Sequence, residues 1–247
     1  MTDVHEPKFQ RLSLLELLPI ELLYEIQLFA LSPSLPHTSH HLYQIFKSAS
    51  PYFQAEYIFL RVQTTPGNFY AKVLRYPLCS SEVIRFINRY AIKHGITSKA
   101  FELPRRLFRD LTPTKDHPLS FIQELYSMGF SPDVNSNSGY ALTKAVQSGS
   151  IVLAQYLLDK GASPALKKNL PIRVAIRQKN LQMVKLLIER HGTSMGIGSK
   201  KRKLADRVEV TKEMLKFAVK CNAQDIVDYF TQEKGCVPDM QTLYLMR

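Results

Sequence analysis

The stretch from Tyr140 to Pro164, YALTKAVQSGSIVLAQYLLDKGASP, and the stretch from Leu170 to Gly192, LPIRVAIRQKNLQMVKLLIERHG, carry one apolar pattern when set one above the other. Leu142 falls on Ile172, Ala145 on Ala175, Ile151 on Leu181, Ala154 on Val184 and Leu157 on Leu187, so the register holds through two helices and the turn between them. A third copy keeps Leu215, Ala218, Ile226, Val227 and Phe230 at the same places, and Gly235 ends it as Gly161 and Gly192 end the others. A single helical pair of this kind cannot cover its own apolar face. Stacked copies build a continuous core and leave a long solvent-facing groove, an architecture that predicts an all-α helical-hairpin solenoid acting by binding.

The pattern resembles ankyrin repeats, whose unit is a turn, a first helix opening on T-P-L-H-x-A and a second helix ending L-L-x-x-G-A. Pro171-Ile172-Arg173-Val174-Ala175 follows the opening motif, and Leu157-Leu158-Asp159-Lys160-Gly161-Ala162 follows the ending residue for residue. The opening Thr is absent, with Tyr140, Leu170 and Glu213 in its place. Upstream, Leu119–Gly129 followed by Ser131-Pro132-Asp133 reads as the second helix and exit turn of an earlier unit. Glu102–Leu111 would be its first helix, and Phe69–Arg75 with Ser81–His94 would be an earlier pair. The repeats are therefore expected to span 67–247 as roughly five hairpins, the first two degenerate.

Ala145 and Ala175 lie 30 residues apart, close to one repeat period, but Ala175 and Ala218 lie 43 apart. The excess has the composition of an insertion at 193–210, Gly/Ser-rich and then basic, and insertions in repeat proteins map to exposed loops. Its run Lys200-Lys201-Arg202-Lys203 suits a nuclear-import signal or, equally, a solvated loop.

Residues 1–13 are polar and are expected to be disordered. Residues 14–66 form a Leu-rich block unrelated to the repeat, with Pro19 at a first helical position and Leu22, Leu23, Ile26 and Phe29 following as a stripe. Leu18-Pro19-Ile20-Glu21-Leu22-Leu23-Tyr24-Glu25-Ile26 resembles the opening of an F-box, L-P-x-E-L-L-x-x-I. The resemblance implies a small helical module whose Leu18, Pro19, Leu22, Leu23 and Ile26 dock on the Skp-type adaptor of a cullin–RING ubiquitin ligase, with the repeats recruiting a target. The Cys-Arg-x-Trp-like end of that motif has no counterpart, the chain having no Trp. The other reading open to the same residues is that they cap the end of the solenoid, which terminal repeats require for solubility.

Charge bounds the partner. Thirty-three Lys and Arg stand against 21 Asp and Glu, a formal net charge of +12, which favours an acidic protein surface. In ankyrin-like stacking the first helices line the groove, placing Thr143 and Gln147, Arg173 and Arg177, and Lys216 and Lys220 side by side as groove residues. Nucleic acid finds only this bulk charge in its favour, with no RNP-type aromatic pattern, GXXG loop or zinc-finger spacing. No 18-residue apolar run is present, and three cysteines without C-x-x-C spacing indicate neither a disulfide framework nor a cysteine zinc site, which places the chain in nucleus or cytoplasm. Neither catalysis nor a cofactor is expected: His37, His40 and His41 lack a neighbouring carboxylate or Cys to complete a metal set, and no phosphate-binding glycine loop follows a strand.

Overall fold

Ser39, Ser50, Asn68 and Ser80 each stand one residue before a helix, and the side chain of each accepts a hydrogen bond from the backbone N–H three residues on. Ser150, Asn180, Thr211 and Asp239 repeat the device further along. A cap of this kind satisfies one of the four N–H groups that a helix start leaves unpaired and contributes about 1 kcal/mol. The helical boundaries are thus written into single polar residues. The computed structural model describes residues 13–111, 118–190 and 206–246, and the chain divides into two units, Met1–Ser98 and Lys99–Arg247.

The first unit contains α1 (Ile20–Ala30), α2 (His40–Lys47), α3 (Pro51–Gln63), α4 (Phe69–Val73) and α5 (Ser81–Lys93). Helix α3 is its centre and lies against α1, α4 and α5. One cluster joins Leu23, Leu42, Phe46, Ala49 and Phe53, with Leu15, Leu18, Tyr24, Leu28, Leu35 and Ile45 packed around it. Tyr24 stacks on Phe53 at 4.3 Å between ring centroids. Helix α1 ends on Leu31 in the left-handed conformation, and the loop beyond it is tied back by Gln27 Nε2 and the Tyr57 hydroxyl, both donating to the Ser32 carbonyl, and by Arg61 donating to that of Leu31. Residues 67–98, expected to open the repeat array, fold within this unit.

Ahead of α1, the Glu16 carboxylate accepts from the Ser39 hydroxyl at 2.5 Å and from the backbone N–H and hydroxyl of Ser13. The Ser39 bond, followed by those from Ser13, holds its pKa down at about 2 against an ordinary 4.5. A depressed carboxyl stabilises the fold above its unfolded pKa, and that contribution is lost as pH falls through the folded one. Melting of the wild-type chain between pH 5 and 2 is therefore expected to fall more steeply than that of Glu16→Gln, and equal slopes would remove this anchor.

The second unit is the solenoid. It contains β1 (Ala100–Glu102), α6 (Leu119–Ser127), β2 (Ser131–Asp133), α7 (Ser136–Gln147), α8 (Ile151–Asp159), α9 (Leu166–Arg177), α10 (Leu181–Ile188), α11 (Lys212–Lys220), α12 (Gln224–Asp228) running into a π-turn at Tyr229–Glu233, and α13 (Met240–Leu245). First helices stack as one layer, α7 on α9, α9 on α11 and α11 on α13, while α8, α10 and α12 stack as a second. The residues aligned between copies, Leu142 with Ile172, Ala145 with Ala175, and Leu157 with Leu187, are all fully buried. Small Ala at the matched first-helix position lets neighbouring backbones approach, and the larger aliphatics fill the space between the layers.

The unit before α7 departs from expectation. In place of a first helix over Glu102–Leu111, residues Ala100–Glu102 pair in parallel with Ser131–Asp133, and only a 3-10 turn at Arg105–Phe108 follows. The strand pairing draws the chain out through Glu102, and Pro104 cannot donate the N–H that a helix continuing through it would need. Phe101, Leu103, Leu107 and Phe108 still fill the core there.

Candidate functional site

The two layers of the solenoid differ in charge. Helices α7, α9 and α11 carry eight Lys and Arg (Lys144, Lys167, Lys168, Arg173, Arg177, Lys212, Lys216, Lys220) against one acid, Glu213. Helices α8, α10 and α12 carry Lys185 against Asp159, Asp225 and Asp228. Like charges stacked on adjoining helices repel, so this segregation gives up some stability and makes the first-helix layer basic. The six expected groove residues do fall on that layer, but they are not equivalent. Thr143 is half-buried and bonds back to the Gly139 carbonyl at 3.0 Å, and Lys216 is held by Gln241 of α13 at 2.5 Å. The Arg173 guanidinium lies 4.8 Å from the centre of the Phe217 ring on the next first helix. Gln147, Arg177 and Lys220 stand exposed.

The turns leading into the first helices also repeat. Asn137, Ser138 and Gly139 are left-handed, and so are Lys167, Lys168 and Asn169 at the same register one copy later. Non-Gly residues in that conformation cost roughly 1–2 kcal/mol each, so bonds around the turn must hold it. The Ser136 hydroxyl donates to the Leu103 carbonyl and accepts from the Leu103 N–H at 3.1 Å, and Asn137 Nδ2 also donates to that carbonyl. Asn135 Nδ2 donates to Gly161 O at 3.0 Å while its Oδ1 accepts from Ser163 N at 2.8 Å, fastening one copy to the next. Only the Asn and Gly residues in NSG and KKN hinted at the turns, since those types tolerate positive φ best.

Residues 114–199 match the family model described as ankyrin repeats, in three copies. This part of the chain is an ankyrin-repeat segment. No curated protein and no solved structure matches the chain. Ankyrin repeats indicate a protein–protein interaction module, in keeping with the layered helical hairpins. The end of the expected insertion, from Asp206 on, is tied back to the array. Arg207 N donates to Ile188 O at 2.7 Å and its guanidinium to the carbonyls of Leu186 and Glu189. Lys234 bridges Glu189 and Asp206, and the Tyr229 hydroxyl donates to Glu189 at 2.8 Å. Burial alone would raise the Glu189 carboxyl, yet the bonds from Tyr229 and Lys234 outweigh it and the net shift is downward. The expected import run Lys200, Lys201, Arg202 and Lys203 lies outside the described residues, as do residues 1–12.

In the first unit the structure divides the expected adaptor-binding residues. Leu23 is fully buried in the helical core and is removed from the docking set, because it touches no solvent. Leu18 is half-buried against the same core, Ile26 is half-buried, and Pro19 and Leu22 are exposed. On a helix with 100° per residue, Leu22, Ile26 and Phe29 share a face turned away from Leu23 and Gln27. Phe29 is 89% exposed and Leu22 44%, and Leu14, Leu17 and Ile20 are exposed beside the start of the helix. Helix α1 is thus apolar on two sides and covered on one. The histidines bind locally: His37 lies near the Tyr43 ring, and His40 bonds to Gln44. Among the described residues no group of three His, Cys, Asp or Glu could hold a metal ion, and no helix is long and apolar enough to cross a membrane.

Proposed function

We propose that this chain is a bridging adaptor: the free face of α1 docks on a Skp-type subunit of a cullin–RING ubiquitin ligase, and the basic layer of the ankyrin segment holds an acidic protein target. The observation that carries the reading is the second apolar stripe, exposed Leu22 and Phe29 with half-buried Ile26 between them, on the side of α1 turned away from the core of the first unit. A large aromatic at 89% exposure is unfavourable in a free protein and typical of an interface anchor. The charge segregation of the repeats supports the second half, since complementary potential sets both specificity and rate of encounter.

The test uses the full chain and a purified Skp-type adaptor, with affinity read by titration calorimetry. Leu22→Asp with Phe29→Asp is expected to weaken binding at least about 30-fold at unchanged melting temperature, the loss of about 2 kcal/mol or more that marks an interface anchor. Arg177→Glu with Lys220→Glu is expected to leave that affinity unchanged while weakening a poly-glutamate peptide and flattening its salt dependence. No binding of the adaptor by the unmutated chain would defeat the ligase half and return α1 to a structural role. A poly-glutamate affinity indifferent to salt and to the reversal would defeat the groove half.

A further inference from the structure

At the C-terminal ends of the first helices the basic layer forms a row. Two residues past the matched Ala145, Ala175 and Ala218 stand Gln147, Arg177 and Lys220, each exposed and each the last residue of its helix, α7, α9 and α11. Lys144 joins them, since its ammonium donates to Gln147 Oε1 at 2.9 Å. The ends of α7 and α9 adjoin directly, with Gln178 Nε2 donating to the Gln147 carbonyl at 2.7 Å. Two residues before the same Ala positions the side chains are engaged within the fold, Thr143 by the Gly139 carbonyl, Arg173 by the Phe217 ring and Lys216 by Gln241. The remaining cations of the layer, Lys167, Lys168 and Lys212, lie at the opposite ends of α9 and α11, as does the acid Glu213.

We propose that this row reads an acidic segment in the polyproline II conformation, with a carboxylate at every third residue. It deepens the acidic-target half of the proposed function and rests on it. Spacing selects the conformation. Packed helices lie about 8–10 Å apart, so matched positions on α7, α9 and α11 present charge at that step. A polyproline II chain has three residues per turn and a rise of about 3.1 Å, which returns a side chain to the same face about every 9.3 Å. A β-strand, with period two and about 3.3 Å per residue, offers the same face about every 6.6 or 13 Å and falls out of step by the second helix. An α-helix needs seven residues for about 10.5 Å, already past that range. The polyproline II backbone also stays hydrated, so it lies along a row of cations without a strand edge to pair with.

Isomeric peptides blocked at both ends, EPPEPPE, PEPEPEP and PPEEEPP, test this against the full chain, since they share charge, length and composition. Fluorescence anisotropy at about 0.1 M salt reads them, where a screening length of about 10 Å lets cations on adjoining helices act singly. EPPEPPE is expected to bind at least about five-fold more tightly than either isomer, the gain from one or two further exposed ion pairs. Arg177→Glu, with circular dichroism and melting temperature as they were, should lose that preference and favour EPPKPPE, whose central cation meets the reversed charge. Equal affinities for the isomers, beside measurable binding of poly-glutamate, overturn the register and leave the acidic-target reading standing. That is the result if these cations serve only the helix dipoles. A variant that gains nothing for EPPKPPE overturns the register as well. Failure to bind any acidic peptide, poly-glutamate included, defeats the register and the acidic-target reading together.

Discussion

Leu157→Ala is expected to lower the stability of the repeat unit by about 2 to 5 kcal/mol, the range for truncating a fully buried leucine whose site cannot collapse. Leu157 is 0% exposed, sits on α8 between the two helical layers, and its carbonyl accepts from Ala162 N at the exit turn. For a unit of this size that is a fall of roughly 10 °C in melting temperature. Val152, five residues earlier on the opposite side of the same helix, is 68% exposed. Val152→Ala should stay within about 0.5 kcal/mol, since surface changes away from packing seldom do more. Differential scanning calorimetry of the two variants reads both numbers. Equal effects would mean that α8 does not present the face that the register assigns to it.

Gly139→Val is expected to cost about 2 to 4 kcal/mol for two separable reasons. Its φ is +74°, where a β-branched residue is strained, and an added Cβ would lie 3.0 Å from Leu166 Cδ1 and 3.4 Å from Leu166 Cβ. Gly149 has nearly the same φ, +73°, but nothing within 4 Å of the added atom. Gly149→Val therefore reports the backbone part alone, about 1 to 2 kcal/mol. The difference in chemical-denaturation midpoint between the two measures how closely the left-handed turn packs against the start of α9. Equal midpoints would show that Leu166 moves aside freely.

Much of the solenoid is legible in the sequence because helix packing between identical layers imposes an identical demand on each copy. Ala145 and Ala175 must be small for neighbouring first helices to approach, and Leu157 and Leu187 must be large to fill the gap between layers, so the demand appears as a period. The period fails where the demand lapses. Over residues 100–102 the chain pairs as a strand with Ser131–Asp133 in place of the expected helix. Helix α13 was equally hidden, since its single buried residue, Thr242, leaves no apolar pattern facing α11.

The sequence by itself determined the helical repeat, its register, its capping residues and the basic character of its first helices, because each of these is a local preference or a repeated one. The tertiary structure alone decided which of two adjacent leucines faces the core. Leu22 and Leu23 are the same residue type one step apart, 100° around α1, and no local rule ranks them. Leu23 is inside because Leu42, Phe46 and Phe53, brought from α2 and α3, close over that side of the helix. The stripe that they leave open is where the chain has an apolar face still to cover, and that face exists only as a consequence of how distant segments pack.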